Sequence, residues 1–222
     1  MSKAKIFNRI RRGLGVSADD EVRRQAVRAR LEARAANLIP RRAQLPEPER
    51  LRLFMDMALE SAAELIELRH RGELAAAVER WLAENGIDRL VMASDDNLTE
   101  LGWSGADGLL PEQRPAEVGD AASLTNAFCG IAETGTLLLY SRQESPTTLN
   151  FLPDTHLVVL SASTVVGVYE EAWQQLRDAT GGAMPRTVNL ITGPSRSADI
   201  EQKLQMGAHG PRRLVILLLH EE

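Results

Sequence analysis

The stretch TVNLITGPSRSADIEQKLQMGAHGPRRLVILLL, residues 187–219, decides the predicted fold. Its first apolar residues favour a β-strand, which a Gly-Pro pair ends. A short amphipathic helix capped by Ser197 is predicted next, with acidic residues in its first turn. Residues 214–219 form an unbroken apolar run, typical of a strand that is buried on both faces. The stretch therefore predicts a strand, a loop, a helix and a strand in succession, enough for one βαβ crossover.

The loop before the predicted helix is a candidate anion-binding site. Free backbone N–H groups at the start of a helix attract a carboxylate or a phosphate, and a neighbouring guanidinium strengthens such a site. The candidate ligand-binding residues of the loop are Gly193, Ser195, Arg196 and Ser197. Asp199 and Glu201 leave a second interpretation open, because their carboxylates can satisfy the helix dipole of a plain capped helix.

The composition is typical of a globular protein without a membrane span. The chain has 222 residues, of which 44% are hydrophobic and 26% charged, so it can bury a real core. The longest apolar run is far too short to cross a bilayer, and the N-terminal residues have no apolar segment of signal-peptide length. We therefore expect a cytoplasmic protein.

The cysteine count restricts the cofactors. Cys129 is the only cysteine, which excludes an intramolecular disulfide, a four-cysteine zinc site and a self-contained iron–sulfur cluster. The His, Asp and Glu residues also lack the short spacing of metal ligands. No Gly-rich dinucleotide or P-loop fingerprint occurs, which disfavours nicotinamide, flavin and ATP binding by those folds. We expect no metal and no cofactor bound by this chain alone.

The charge is distributed unevenly. Residues 1–52 contain 14 Lys and Arg against 6 Asp and Glu, whereas residues 53–222 contain 12 against 25. The arginines of the basic part alternate with apolar residues at near-helical spacing, which indicates surface helices that dock on the acidic remainder. Docking on a partner protein, or binding to nucleic acid or a membrane surface, are alternatives. No DNA-binding motif supports regulation through nucleic acid, so we expect no nucleic-acid partner.

The order of predicted elements gives the fold class and the domains. Helices are predicted at 2–12, 19–38, 51–70, 73–84 and 164–179, and strands within 89–93, 131–140 and 157–160. Strands that alternate with helices predict an α/β fold, a mainly parallel sheet with helices on both faces. Residues 1–50 are interpreted as a basic helical N-terminal extension, and residues 51–222 as the α/β domain.

Ligands of parallel sheets gather at the carboxyl ends of the strands. Three polar segments are candidates to meet there, namely residues 95–97, 132–136 and 193–197. Within the second segment, burial would suit Glu133 to acid, base or nucleophile chemistry, with Thr134, Gly135 and Thr136 beside the ligand. The alternative is a carboxylate that holds a turn together through backbone N–H groups.

Further candidates follow from single residues. His156 is a candidate acid or base at a sheet end, and His209 is a candidate binding group, although a lone histidine can equally be structural. Arg142 and Ser145 are candidates for a second contact with an anion, or members of a solvated loop.

Several of these segments together resemble one known family. Residues 131–136 (IAETGT), His156, residues 192–201 (TGPSRSADIE) and residues 209–211 (HGP) are similar to the lactate-utilization protein C family, which carries the LUD domain, formerly a domain of unknown function. The resemblance covers roughly residues 86–219. It departs mildly from the family pattern at Ser197, where Thr is expected, and at Ala208, where Val is common.

The resemblance implies a fold, a role and partners. The implied fold is similar to the sugar-phosphate isomerase and coenzyme A transferase group. The implied role is that of a component in the oxidation of L-lactate to pyruvate, with iron–sulfur partner proteins that carry the clusters. A small carboxylate or phosphate is the expected ligand, and a homo-oligomer is compatible with the sequence. The basic arm would then be a docking element for a partner.

A second function remains open at this level. Coenzyme A transferases of similar fold use a glutamate in a Glu-x-Gly setting to form an acyl intermediate, and Glu133-Thr134-Gly135 has that form. The alternative is therefore a stand-alone acyl-coenzyme A or sugar-phosphate enzyme that uses Glu133.

Overall fold

A computed structural model describes residues 2–17, 19–33, 38–104, 109–197, 205–206 and 209–221 of the chain. Its internal contacts divide the chain into two units, Met1–Ile39 and Pro40–Glu222. The predicted domain division after residue 50 stays a prediction.

The first unit contains two basic helices, α1 (Lys3–Leu14) and α2 (Glu21–Ala33). The Ser2 hydroxyl accepts a hydrogen bond from the Lys5 backbone N–H and caps α1, while Gly15 ends it in the left-handed region with φ of 62°. Both helices lie where the sequence predicts them, although predicted helical residues 34–37 lie outside the described residues.

In the described residues, the second unit contains a six-stranded sheet, a four-stranded sheet, a two-stranded sheet and five α-helices. Its strands are β1 (Glu64–His70), β2 (Val91–Met92), β3 (Glu112–Gln113), β4 (Ala122–Asn126), β5 (Cys129–Ile131), β6 (Thr136–Tyr140), β7 (Thr155–Ser161), β8 (Val165–Val166), β9 (Val188–Ile191), β10 (Arg196–Ser197), β11 (Gln205–Met206) and β12 (Arg213–Glu221). Its α-helices are α3 (Glu47–Glu60), α4 (Leu74–Glu84), α5 (Asp96–Thr99), α6 (Thr148–Phe151) and α7 (Tyr169–Ala179).

The main sheet has six strands in the order β1-β12-β7-β4-β2-β3, and every pair is parallel. Strand β12 lies between β1 and β7, and its apolar run is buried throughout, as predicted. Val215 and Leu217 pack with α4 on one face, whereas Ile216 and Leu218 pack with α3 on the other. The predicted fold class, a mainly parallel sheet with helices on both faces, is confirmed.

A second sheet covers the α3 face of the main sheet. Its four strands have the order β8-β5-β6-β9, with antiparallel pairs on both sides of β6. Leu137 and Leu139 of β6 face the main sheet, while Leu138 faces α7 together with Ile131 of β5. Because successive side chains of a strand point to opposite faces, β6 contributes to two separate cores, one against the main sheet and one against α7. The sequence analysis did not distinguish this second sheet.

The predicted βαβ crossover over residues 187–219 is wrong. Strand β9 pairs antiparallel with β6 in the second sheet, whereas β12 belongs to the main sheet. The residue pattern of β9 explains the difference, because Asn189 is buried while Leu190 is 42% exposed, as in a strand at the edge of an antiparallel sheet. The predicted helix residues 198–204 lie outside the described residues, and Ser197, its predicted cap, belongs to β10, which pairs with β11.

The predicted helix over 51–70 is also wrong in its second half. Helix α3 ends at Glu60, and Ala62 takes the left-handed region with φ of 66° before β1 begins. Strand β1 is held by parallel pairing with β12, from Glu64 opposite Val215 onwards. This long-range pairing prevails over local helix propensity. Similarly, helix α7 begins at Tyr169 rather than 164, because the preceding residues form β8.

The turn between β5 and β6 packs directly on α3. Gly135 in this turn has φ of 63°, and a Cβ atom there would lie 2.3 Å from the Ala58 backbone nitrogen and 2.5 Å from the Met57 carbonyl carbon. Two backbones therefore approach at a distance that only glycine permits. The Gly of the Thr-Gly-Thr segment has a structural role in joining the second sheet to α3.

We predict that Gly135→Ala lowers the free energy of unfolding by about 3 kcal/mol or more, because it adds both a left-handed alanine and a backbone clash. Gly86→Ala is the matched control, since Gly86 has φ of 66° but no heavy atom within 4 Å of its added Cβ. The control should cost about 1–2 kcal/mol. Urea denaturation of the two variants measures the difference, and equal losses would contradict the close approach.

Candidate functional site

A cavity of about 230 Å³ opens at the amino-terminal edge of the main sheet. His156 and Leu214 line it from the first residues of strands β7 and β12, and Asn150 and Phe151 line it from helix α6. The end of β9 forms the opposite wall. The remaining lining residues are Leu190, Ile191, Thr192, Gly193, Pro194, Ser195, His209, Gly210 and Pro211. The cavity thus lies where the two sheets meet.

His156 is the most deeply buried polar residue of the cavity, with no exposed surface. Its Nε2 atom lies 2.8 Å from the Thr125 hydroxyl oxygen on the neighbouring strand β4, while Nδ1 has no partner in the described part of the chain. Burial lowers the pKa of His156 to about 3, so the ring is neutral at physiological pH. Nδ1 is therefore available to donate or accept one hydrogen bond, according to the tautomer.

Asn150 supplies a second polar atom of the same kind. The residue is only 3% exposed, and its Oδ1 atom has no hydrogen-bond partner among the described residues. A buried amide oxygen without a partner costs stability, and in native proteins such a group is usually satisfied by a water, an ion or a ligand, or serves a functional role. Two such atoms in residues that line one cavity indicate a binding site for a polar ligand.

A network of hydroxyl groups connects this cavity with the turn between β5 and β6. The Thr192 hydroxyl oxygen, at the cavity, lies 2.6 Å from that of Thr136. Thr136 in turn lies 2.7 Å from Thr134, and the Tyr169 hydroxyl contacts both, at 3.0 and 2.9 Å. Two of the predicted ligand-binding residues, Thr134 and Thr136, therefore position the cavity wall through Thr192 and do not line the cavity themselves.

The segment after β9 forms one side of the cavity. The Ser195 backbone N–H donates to the Pro211 carbonyl oxygen at 2.8 Å, which ties the segment to the residues before β12. Gly193 has φ of 67°, and an added Cβ would lie 2.1 Å from the Ser61 carbonyl oxygen after α3. The structure brings four of the predicted site residues together at this cavity, namely Gly193, Ser195, His156 and the exposed His209.

The predicted anion site does not have the predicted geometry. Ser197 does not begin a helix, and the Arg196 guanidinium donates to the Ser61 carbonyl oxygen. Of the three polar segments expected at the carboxyl ends of the main sheet, only residues 95–97 lie there, directly after β2. Residues 132–136 lie in the second sheet's turn, and residues 193–197 lie by the amino-terminal edge.

Glu133 lies at the end of β5, apart from the cavity. It is 8% exposed, and its Oε2 atom has no partner among the described residues. Burial, together with the charge of Glu170, raises the pKa of Glu133, and the charge of Arg42 opposes that rise. The Arg42 guanidinium donates to the Glu133 carbonyl oxygen at 3.1 Å. Glu133 does not line the cavity at the amino-terminal edge.

Arg142 and Ser145 lie in the loop after β6, away from His156. The Arg142 guanidinium forms a 2.6 Å ion pair with Asp95, the residue that precedes α5. Ser145 is buried, and its carbonyl oxygen accepts from the Arg142 backbone N–H. This ion pair closes the loop over the end of β2, so the Arg142 charge is compensated within the protein.

Other kinds of site find little support in the described ranges. No three His, Cys, Asp or Glu side chains there are grouped closely enough to hold a metal ion. No helix in the same residues has both the length and the apolar character needed to cross a membrane.

Asn150, Thr192 and Thr125 are the site residues that sequence reasoning missed. Thr192 could have been identified from the sequence, because it lies inside the segment that carries the family resemblance. Asn150 and Thr125 have no local signal, since their importance arises from burial beside His156.

Comparisons with known proteins agree with the resemblance. A LUD domain model matches residues 112–219. The chain is 36% identical over 168 residues to lactate utilization protein C of Geobacillus kaustophilus, covering 66% of this chain and 69% of the relative. It is 34% identical over 168 residues to lactate utilization protein C of Geobacillus thermodenitrificans, with the same shares of both chains.

A solved structure shows the same fold. The crystal structure of a DUF162 family protein from Deinococcus radiodurans superposes with a TM-score of 0.59 at 21% identity. The match covers 79% of this chain and 99% of that protein.

We predict that His156 makes stability depend on pH. Because the pKa of the folded ring is lowered to about 3 from a usual value near 6.5, the unfolded chain binds a proton first as the pH falls. The stabilisation is complete above pH ~6.5 and is lost as the pH falls from there towards 3, by about 2 kcal/mol between pH 7.5 and pH 5. Urea denaturation of wild type and His156→Gln at both pH values measures this, and an unchanged difference between the two pH values would contradict it.

Proposed function

The chain belongs to the lactate utilization protein C family, which carries the LUD domain, and from this premise we propose that it is a component of a cytoplasmic L-lactate utilization system. The observation that supports a ligand-binding role for this component is that two residues lining the cavity carry a buried polar atom without a partner among the described residues, Asn150 Oδ1 and His156 Nδ1. We propose this cavity as its ligand site, and a small hydroxy acid as the ligand.

Each chemical group of a small hydroxy acid has a matching side chain among the residues that line the cavity. A hydroxyl of the ligand donates to Asn150 Oδ1, and an oxygen of the ligand accepts from His156 Nδ1 when Thr125 donates to Nε2. The side chains of Phe151 and Leu214 contact the apolar part of the ligand, and Ser195 and His209 face its carboxylate from the rim. With a pKa near 3, His156 is a weak base, so its role is a hydrogen bond that orients the ligand rather than proton abstraction.

The electrons of the reaction require partners. Oxidation of L-lactate to pyruvate releases two electrons and two protons, and iron–sulfur clusters on partner proteins accept the electrons in this proposal. The single cysteine supports that division of work, because Cys129 is buried and burial raises the pKa of its thiol to about 12. The expected contribution of this chain is binding and orientation.

We predict that Asn150→Leu abolishes growth on L-lactate while it stabilises the protein. Leucine removes the amide oxygen that has no partner, so the free energy of unfolding should rise by about 1 kcal/mol. The measurement is growth on L-lactate as sole carbon source, in the organism that encodes this chain, after deletion and return of each variant.

Asn189→Leu is the matched control. Asn189 is likewise buried, its Nδ2 atom has no partner in the described residues, and it does not line the cavity. The control should be stabilised and should retain growth. Growth of the Asn150→Leu strain at the wild-type rate, with equal amounts of folded protein, would exclude the cavity as the functional site. Growth of the deletion strain itself would contradict the lactate role.

A second candidate function has one observation in its favour. Glu133 has a raised pKa, and its buried Oε2 atom has no partner among the described residues. Both features suit an acyl-accepting carboxylate, as in a stand-alone acyl-coenzyme A or sugar-phosphate enzyme. Its position in the turn between β5 and β6, outside the cavity, favours the structural alternative.

We predict that Glu133→Gln retains growth on L-lactate and raises stability at neutral pH. The raised pKa means that the folded protein holds the neutral form more readily than the unfolded chain does, so the ionised carboxylate weakens the fold above its ordinary pKa. Urea denaturation at pH 7 and growth on L-lactate provide the readouts. Loss of growth with the fold intact, together with calorimetric binding of an acyl-coenzyme A by wild type, would support the enzyme alternative instead.

A further inference from the structure

A second cavity lies at the opposite edge of the main sheet from the His156 cavity. Its volume is about 340 Å³, within the range of small-molecule sites. The carboxyl ends of three neighbouring strands contribute Leu219 of β12, Ser161 of β7 and Asn126 of β4. Arg71, directly after β1, and Asn97, in α5 after β2, close it at either side. We call it the carboxyl-edge crevice.

The strand order gives this crevice a special position. From β2 the chain continues to β3, towards one edge of the main sheet, whereas from β4 it passes through β5 and β6 of the second sheet and returns to the main sheet as β7, on the opposite side of β4. The carboxyl ends of β2 and β4 therefore flank the point at which the strand order reverses, which is where open parallel sheets hold their ligands. Asn97 and Asn126 meet at this point, and Asn126 Nδ2 donates to Asn97 Oδ1 at 2.7 Å.

The charge of the crevice comes from Arg71. Among the described residues, its guanidinium has no hydrogen-bond or ion-pair partner, and no carboxylate lines the crevice. The arginines at 114, 142 and 213, by contrast, each pair with a carboxylate at 2.8 Å or less. An uncompensated guanidinium beside amide and hydroxyl groups is the chemistry that recognises a carboxylate or a phosphate.

The polar groups around Arg71 are held in place from within the protein. The bond between the two asparagines leaves Asn97 Nδ2 and Asn126 Oδ1 for a ligand. The Thr164 hydroxyl donates to the Ser161 carbonyl oxygen at 2.8 Å, which fixes the residues after β7 at the crevice wall. Val159 and Leu219 provide an apolar floor. The crevice thus combines one charge, oriented polar groups and an apolar surface.

We propose that the carboxyl-edge crevice binds a small oxyanion, a carboxylate or a phosphate, through the guanidinium of Arg71. This site is separate from the His156 cavity and does not depend on the function proposed for that cavity. In this proposal the anion contact falls to Arg71, because the Arg196 guanidinium donates to the Ser61 carbonyl oxygen and Arg142 is paired with Asp95.

The test is calorimetric titration of the full chain at an ionic strength of about 0.15 M with two probes, sodium acetate and inorganic phosphate. Arg71→Gln should weaken the binding of at least one probe about tenfold or more, since a charge-assisted bidentate contact is lost. Arg69→Gln is the matched control, because Arg69 is exposed on β1, removes the same charge and does not line the crevice. It should change the affinity several-fold less than Arg71→Gln does, because its charge is exposed to solvent and makes no direct contact with the crevice.

Each outcome decides the proposal. A loss of affinity in Arg71→Gln but not in Arg69→Gln supports the proposal. The probe whose binding is weakened distinguishes a carboxylate site from a phosphate site. Equal losses in both arginine variants, binding that neither variant weakens, or no binding of either probe would overturn it. Neither acetate nor phosphate carries the alcohol hydroxyl group that Asn150 is proposed to bind, so failure of the crevice is distinguishable from failure of the His156 cavity. Thermal unfolding of each variant verifies that the fold is intact.

Discussion

The whole α/β unit depends on the burial of β12. This strand is paired on both edges, by β1 and β7, and buried on both faces. Its odd-numbered apolar residues require α4 as a cover, and its even-numbered ones require α3 and the second sheet. A strand of this kind cannot lie at the surface, because it would expose an unbroken run of leucine, isoleucine and valine. The layered arrangement follows from covering both of its faces.

The end of α3 is the point at which the motif segments meet the rest of the fold. Gly135 packs on Ala58 and Gly193 packs on the Ser61 carbonyl oxygen, both with positive φ and both at distances closed to any side chain. The Arg196 guanidinium also donates to the Ser61 carbonyl oxygen. The sequence predicts ligand-binding loops at residues 132–136 and 193–197. In the structure, the glycines of these segments instead allow two backbones to approach closely. The cavity beside them exists because these contacts hold the end of β9 against the main sheet.

The two edges of the main sheet have different chemistry. At the amino-terminal edge, the cavity is lined by the buried, neutral imidazole of His156 and the buried amide of Asn150, each with one polar atom that has no partner among the described residues. The carboxyl-terminal edge holds a crevice with an uncompensated guanidinium. Buried polar groups without charge favour selective hydrogen bonding to a polar ligand, whereas a crevice with one arginine favours an anion. The two proposed sites, one for a polar ligand and one for an anion, agree with a protein that binds and orients a small acid.

The sequence by itself determined the local features of this protein. It gave correct positions for α1, α4, β7 and β12, and it identified the family, because periodicity, caps and motif letters are local properties. The tertiary structure alone decided that residues 64–70 form a strand, since only pairing with β12 outweighs their helix propensity. It alone placed β9 in a second sheet and His156 beside Asn150 and Thr125. Such features arise between residues far apart in the chain, where strand pairing and burial act and where no local pattern records them.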